Sequence, residues 1–278
     1  MAYTIIKGTF HVAGYSPDGD SIRFEAANSA NWDKFPFTGN AVRAKRKQLR
    51  LEGIDALETH YEESHQPRSI ALAALELLLD MLGIGDLTYN LAVTSIVAAK
   101  DGTPGYLAVL GIDGFNRPIS LAFPGDTPLK DGALVEFTKL PMEKCVNLRL
   151  LKQGLAYPTF YDSMPDALMD LFAAETRKAR TKKTGIWALD RSRGFHFHNA
   201  DTIVNDVVIL PKLFRRLTTF LQNASDYGTL AAYLQKSGDH LLVRSTGKKT
   251  DLGALIAVDG RQISLTADPE DLVFSQKS

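Results

Sequence analysis

The chain has 278 residues and balances 32 Lys and Arg against 32 Asp and Glu, so its formal net charge is zero. This balance excludes a binder that relies on overall positive charge, although it is compatible with a local basic cleft. An apolar fraction of 45% can fill a core, and a single cysteine, Cys145, excludes an internal disulfide. No apolar run approaches a membrane span and the N-terminus lacks a signal-peptide pattern, so we expect a soluble, cytoplasmic protein without a membrane partner.

The N-terminal segment predicts a β-hairpin. Residues 4–15 are rich in β-branched and aromatic side chains, residues 16–19 have turn chemistry, and residues 21–26 form the returning strand. Residues 27–47 are irregular and end in a basic run of Arg43, Lys45, Arg46 and Lys47. That run indicates either a solvated loop or a loop that holds a nucleic-acid backbone, and the sequence leaves both interpretations open.

The next stretch, residues 48–58, combines a strand pattern with three charged side chains. Leu49 and Leu51 alternate with Arg50, and the following turn carries Asp55 and Glu58. An arginine can hold a phosphate, an aspartate can hold a metal ion, and a glutamate can take a proton from water. The stretch therefore indicates phosphate chemistry at one end of a sheet.

The remaining elements alternate short strands and helices. Pro67 opens a helix that Gly83 and Gly85 end, and strands are predicted at residues 91–99, 106–112, 119–123 and 134–137. Helices follow at residues 146–153 and 165–181, and Ile186-Trp187 closes this part of the chain. Many short strands with tight turns, followed by helices, favour a small barrel with helical cover.

The last 84 residues read as a separate α+β module or as a cap on the first domain. Apolar residues recur at helical spacing over residues 209–221, and residues 230–234 predict a shorter helix. Asp259-Gly260 lies between two strand patterns and predicts a hairpin, whereas Asp268-Pro269-Glu270 predicts the start of a final helix. The role of this module, residues 195–278, is not indicated by its sequence.

Several of these stretches occur in an order that resembles the staphylococcal nuclease-like (thermonuclease) family, over about residues 3–188. The matching features are an Asp-Gly-Asp-Ser turn, an Arg with an Asp and a Glu five and eight residues later, an aromatic-x-Arg turn before a strand, Val-Asn, Gly-Leu-Ala and Ile-Trp. They stand here at residues 18–21, 50–58, 113–117, 146–147, 154–156 and 186–187.

The resemblance implies a role for each matching residue. Asp20 and Asp55 would be carboxylate ligands of Ca²⁺, and Ala56 would offer its backbone carbonyl to the same ion. Glu58 would be the general base, and Arg50 and Arg117 would bind the phosphate. Phe115 stands at the position of a tyrosine near the substrate base, and Phe160 or Tyr161 would supply a second stacking face; we favour Tyr161.

The sequence departs from the family pattern at several places. Ala56-Leu57 replaces Thr-Pro before the glutamate, and Gly114 and Asn116 replace Lys and Gly. The loop before Arg50 and residues 124–142 are longer than in the family. An alternative alignment over residues 101–106 would leave no arginine, so we prefer residues 113–117.

The resemblance leads to three expectations. The fold is expected to be α+β, with a five-stranded OB-fold β-barrel of the staphylococcal nuclease type over residues 1–194 and a small α+β module over residues 195–278. The function is expected to be Ca²⁺-dependent hydrolysis of phosphodiester bonds in DNA, RNA or both. The alternative is a barrel that binds nucleic acid or a protein without catalysis.

Overall fold

A computed structural model of the protein describes residues 1–223, 226–236 and 238–276. It is a mixed α+β structure, as predicted, and the chain divides into two compact units. The described part of the first unit is Met1–Glu52 with Ala74–Leu150, and the second comprises Gly53–Ala73 with Leu151–Gln276. Each unit is assembled from two separate stretches of the chain, and the domain boundary predicted near residue 194 lies within the second unit.

The strands of the described chain are β1 (Ala2–His11), β2 (Arg23–Ala26), β3 (Arg46–Gln48), β4 (Arg50–Leu51), β5 (Ile54–Ala56), β6 (Gly85–Tyr89), β7 (Ile96–Lys100), β8 (Thr103–Ile112), β9 (Pro118–Pro124), β10 (Leu134–Glu136), β11 (Ala156–Pro158), β12 (Phe160–Tyr161), β13 (Phe195–His196), β14 (His240–Val243), β15 (Lys248–Asp251), β16 (Ile256–Asp259), β17 (Gln262–Leu265) and β18 (Leu272–Phe274). The α-helices are α1 (Asn40–Arg43), α2 (Arg68–Met81), α3 (Val146–Lys152), α4 (Asp166–Thr181), α5 (Pro211–Asn223) and α6 (Leu230–Gln235). None of these described helices combines the length and the apolar character that crossing a membrane would require.

The main sheet of the first unit is curled, with the strand order β3-β2-β1-β8-β9-β4. The two strands at the ends of this order, β3 and β4, are successive parts of one run that is interrupted only at Leu49. β3 pairs antiparallel with β2, and β4 pairs in parallel with β9. The same short run of chain therefore borders both edges of the sheet.

A buried asparagine fastens α3 to this sheet. The Oδ1 of Asn147 accepts a hydrogen bond from the backbone N–H of Ala122, and its Nδ2 donates to the carbonyl oxygens of Glu52 and Ser120, each at 3.0 Å. Asn147 is fully buried, so these bonds satisfy backbone groups of β9 and of the residue after β4 that water does not reach. They hold the end of β4 in place, where the chain leaves towards the predicted acidic residues.

Among its described residues, the second unit packs three small sheets, the start of α2 and the helices α4, α5 and α6 around its own apolar core. β5 pairs with β11, β12 joins β18, β14 and β15, and β13 joins β17 and β16. The helix α5 contributes Leu213, Phe214, Leu217 and Phe220 to the core. Because β12 pairs with β18, segments on either side of residue 194 share a sheet.

Most predicted elements are confirmed, and two predictions are wrong. α2 begins directly after Pro67 and is followed by Gly83, which has a φ of +70°. The predicted strand at residues 91–99 is confined to β7, and its partner β6 was missed. The predicted final helix at Asp268 is a single 3₁₀ turn followed by β18. A Pro-Glu-Asp sequence favours a helical first turn, but pairing with β12 and β14 makes the next residues a strand.

Candidate active site

The turn after β4 depends on a glycine. Gly53 has a φ of +77°, and a Cβ atom there would lie 2.8 Å from the Phe172 ring, so only glycine fits without a shift. The chain then enters β5, where Asp55 is the register partner of Tyr157 in β11. The N–H of Thr159 donates to the Gly53 carbonyl at 3.0 Å. These backbone bonds fix the position from which Asp55 projects.

Asp55 and Glu58 converge on one guanidinium, that of Arg215 in α5. The Nη1 and Nη2 of Arg215 donate to the two carboxylate oxygens of Asp55 at 3.2 and 2.8 Å. The same Nη1 also donates to Oε1 of Glu58. The predicted metal ligand and the predicted general base, which we call the acid pair, therefore face the same point.

The side chains of the acid pair are largely shielded from solvent. The side chains of Asp55 and Glu58 are 10% and 12% exposed, and that of Arg215 is 27% exposed. Burial by itself lowers the pKa of Arg215, but attraction to the two carboxylates outweighs it and raises this pKa well above its usual value. Asp55 and Glu58 thus share the permanently charged guanidinium of Arg215.

A buried glutamine connects the acid pair to the segment before α5. The N–H of Glu58 donates to Oε1 of Gln66 at 3.2 Å, and Nε2 of Gln66 donates to the carbonyl of Ile209 at 2.7 Å. Gln66 is fully buried. The backbone of Glu58 and the start of α5 are therefore held through a single amide, so Arg215 approaches the carboxylates from a fixed helix.

The predicted metal ligand Asp20 and the two predicted phosphate-binding arginines belong to the first unit. The backbone N–H of Leu51 donates to the carbonyl of Asp20 at 3.1 Å, which holds the Asp20 turn beside β4. Arg50 is the register partner of Ile119, and Arg117 lies two residues before Ile119. Arg50 therefore lies in β4, and Arg117 directly precedes the neighbouring strand β9.

The turn that carries Phe115 and Arg117 is organised by Asp113. Its Oδ1 accepts hydrogen bonds from the N–H groups of Phe115 and Arg117, both at 2.9 Å. Its Oδ2 lies 2.8 Å from Nε and 2.7 Å from Nη2 of Arg117. The Phe115 ring is 81% exposed and has the Arg117 guanidinium 5.4 Å from its centroid. The turn therefore presents an aromatic face and an oriented cation together.

A pocket of about 430 Å³ lies between this turn and the basic run. Its lining residues are Ala41, Ala44, Arg46, Lys47, Gln48, Phe115, Asn116 and Arg117. Lys47 is buried, and its ammonium donates to the Ala41 carbonyl, so burial lowers the pKa of this lysine and its role is structural. Arg46 stays partly exposed while paired with Glu25.

Asn116 attaches the loop before the basic run to the same turn. It has a φ of +60°, which asparagine tolerates better than most residues. Its Oδ1 accepts hydrogen bonds from the N–H and the hydroxyl of Thr38, at 2.9 and 3.1 Å. Asn116 is therefore the anchor that holds the loop of Thr38 at this turn.

Two other predicted site residues, Ala56 and Tyr161, contact neighbouring elements of the second unit. Ala56 is buried in β5 opposite Ala156. The hydroxyl of Tyr161 accepts a hydrogen bond from the Lys212 ammonium at 3.0 Å, and the Tyr161 ring lies 6.0 Å from that of Phe274. The neighbouring Phe160 is fully buried, so Tyr161 is the more accessible of the two candidate stacking residues.

A second acid, Glu52, is buried in the first unit. It is 4% exposed, its Oε2 accepts a hydrogen bond from the Tyr3 hydroxyl at 2.9 Å, and its Oε1 has no hydrogen-bond partner among the described residues. Burial raises the pKa of Glu52 to about 7, against smaller opposing effects of Tyr3 and Arg50. Sequence analysis assigned no role to Glu52.

The acid pair has the donor chemistry that a hard divalent cation needs. Carboxylate oxygens are the ligands that Ca²⁺ prefers, and Asp55 and Glu58 already share one cationic partner. Within the described part of the chain, no group of three or more His, Cys, Asp or Glu side chains is arranged to hold a metal ion. The acid pair therefore supplies two carboxylates of the kind that a hard cation takes, and the Arg215 guanidinium is hydrogen-bonded to both of them.

Sequence reasoning missed Arg215 and Gln66. Arg215 lies 160 residues from Asp55, in a helix whose apolar periodicity was recognised but whose polar face was not assigned a role. The only available signal was the Arg215-Arg216 pair on that face. Gln66 precedes Pro67, and the sequence analysis used this position only to predict the start of a helix.

No family model matches the chain, and no curated protein matches it. The case for a function therefore depends on the residues described above.

Proposed function

We propose that this protein is a Ca²⁺-dependent nuclease of the staphylococcal nuclease type, acting on phosphodiester bonds of DNA, RNA or both. The observation that carries the proposal is the convergence of Asp55 and Glu58 on one cationic group. Two carboxylates from one short stretch, both largely buried and aimed at the same cation, suit a metal-assisted hydrolytic site better than a surface ion pair.

The strand order supports an OB-fold barrel as the scaffold. When β3 and β4 are counted as one strand, the order contains five strands. This combined strand pairs with β2 through β3 and with β9 through β4, so the order returns to its starting strand. Such barrels bind nucleic acids on their faces and loops. The exposed Phe115 and the basic pocket beside it are the features that such binding uses.

Each residue has a role in this proposal. Arg50 and Arg117 would bind the non-bridging phosphate oxygens, and Glu58 would accept the proton of the attacking water. Bound Ca²⁺, held by Asp20, Asp55 and the Ala56 carbonyl, would supply charge neutralisation at the phosphate. Phe115 and Tyr161 would contact the bases. Cytoplasmic location stays a prediction.

The test is digestion of end-labelled single-stranded DNA and RNA in Ca²⁺ and then in chelator. Glu58→Gln is expected to lower the cleavage rate by roughly 10²–10⁴-fold, because the amide cannot accept the proton. Glu63→Gln is the matched control, since this exposed glutamate belongs to the same segment. Cleavage that ignores chelator, or that Glu58→Gln leaves undiminished, would reject the mechanism.

The second candidate is a barrel that binds nucleic acid without cutting it. The pairing of Arg215 with both members of the acid pair favours this candidate, because a guanidinium already neutralises much of the charge that a metal ion would meet. A protein that retards labelled single strands in a gel but never shortens them, at any Ca²⁺ concentration, would establish it.

A further inference from the structure

Arg215 and a divalent ion would need the same oxygens. Its two terminal nitrogens cover both oxygens of Asp55, and one of them also covers Oε1 of Glu58. A forked contact of this kind is among the stronger charge-assisted hydrogen bonds in proteins. A Ca²⁺ ion at the usual 2.3–2.6 Å from these oxygens would be repelled by a guanidinium a few ångströms away.

We propose that Arg215 is a resident cation at the acid pair, and that a divalent ion binds Asp55 only by displacing its guanidinium. This inference rests on the proposed metal site but concerns the affinity of that site rather than catalysis. It makes α5, a helix outside the region that resembles the nuclease family, the element that sets the metal requirement.

The surroundings of Arg215 allow its side chain to leave while its helix stays. The neighbours Leu213, Phe214 and Leu217 are buried in the core of the second unit, and the segment before α5 is held through Gln66. The Arg215 side chain is still 27% exposed. Displacement therefore requires a rotation of one side chain towards solvent and no movement of α5.

The chain offers a matched control at the next position. Arg216 belongs to the same helix and is also paired with a carboxylate, but its partner is Asp239, outside the acid pair. Replacing Arg216 removes the same charge and a similar ion pair without uncovering Asp55. A general effect of net charge on Ca²⁺ affinity would therefore appear equally in both variants.

Calorimetric titration of Ca²⁺ into the full chain at constant pH and ionic strength tests the proposal. Arg215→Gln is expected to bind Ca²⁺ at least tenfold more tightly than the wild type, whereas Arg216→Gln stays within about threefold of it. The double variant Asp55→Asn with Arg215→Gln is expected not to show this increase in Ca²⁺ affinity. Wild-type affinity in a folded Arg215→Gln protein, or an equal gain in Arg216→Gln, would overturn the proposal.

Arg215→Lys keeps the proposal testable if Arg215→Gln does not fold. Lysine retains the charge but cannot bind both Asp55 oxygens as a fork, so a smaller gain of about threefold is expected. Ca²⁺ should also raise the melting temperature of either variant more than that of the wild type, since a ligand stabilises the folded state that binds it. Lack of any gain in Arg215→Lys would then refute the competition.

The outcome is separable from that of the nuclease proposal. Tighter Ca²⁺ binding by Arg215→Gln without any cleavage would uphold the competition and reject the nuclease. Chelator-sensitive cleavage by the wild type, with unchanged Ca²⁺ affinity in Arg215→Gln, would uphold the nuclease and reject the competition.

Discussion

Glu52 and Asp55 are three residues apart, yet the structure accommodates these two buried acids in different ways. Glu52 meets a neutral phenol, Tyr3, and burial raises its pKa to about 7. Asp55 meets the guanidinium of Arg215 at 2.8 Å in a largely buried place. The two acids are similarly buried but differ in their partners, since Glu52 has a neutral hydroxyl and Asp55 has a permanent cation.

The largest expected effect comes from removing the charged partner. Arg215→Gln should lower the free energy of unfolding by about 3–5 kcal/mol at pH 7, because the acid pair would lose its shared cation in a largely buried place. Urea denaturation measures this loss. Asp55→Asn in the same chain should restore part of the stability, and a loss below about 1 kcal/mol would show that solvent already screens the group.

Removing the charge of the other acid should have the opposite sign. Glu52→Gln keeps an oxygen for the Tyr3 hydroxyl and should raise the free energy of unfolding at pH 8 by roughly 3 kcal/mol, the order expected from a pKa raised from 4.5 to about 7. Urea denaturation of both proteins at several pH values measures the difference.

The pH dependence of that difference follows from the direction of the shift. Because the pKa of Glu52 is higher in the folded state, its contribution to stability is fully present below pH 4.5 and is lost as the pH rises through about 7. The advantage of Glu52→Gln should therefore be small at pH 4.5 and complete at pH 8. A constant difference over this range would mean that Glu52 does not titrate as described.

A smaller effect is expected from Tyr3→Phe, which removes the hydrogen bond to Glu52. The free energy of unfolding should fall by about 2 kcal/mol at pH 8, where the hydroxyl donates to a charged acceptor. In the Glu52→Gln background the same substitution should cost only about 1 kcal/mol. Equal costs in the two backgrounds would indicate that the charge of Glu52 does not strengthen this bond.

The smallest effect on stability is expected at Phe115, which lies outside both buried groups. Phe115→Ala should change the free energy of unfolding by less than about 0.5 kcal/mol, since the ring is 81% exposed. Under the proposed function it should weaken binding of single-stranded DNA by roughly tenfold, as loss of one stacking face does. Fluorescence anisotropy measures the binding, and unchanged affinity would remove Phe115 from the nucleic-acid surface.

Local signals predicted local elements well. The proline before α2, the Asp259-Gly260 pair between β16 and β17, and the spacing of apolar residues in α5 each act within a few residues, and all three elements are confirmed. The prediction of a final helix was wrong because the residues at Asp268 favour only one helical turn. The residues that follow form β18, which is stabilised by pairing with β12, more than 100 residues away.

The candidate site also combines features set by local sequence patterns with features set by long-range contacts. The sequence by itself determined the acidic stretch, the two candidate arginines and the aromatic turn, since each is a short pattern whose chemistry does not depend on remote residues. Only the tertiary structure decided that Arg215 reaches the acid pair and that Glu52 is buried against Tyr3. The physical reason is that ionic pairing and desolvation depend on distances in space, and a separation of 160 residues along the chain carries no information about a contact of 2.8 Å.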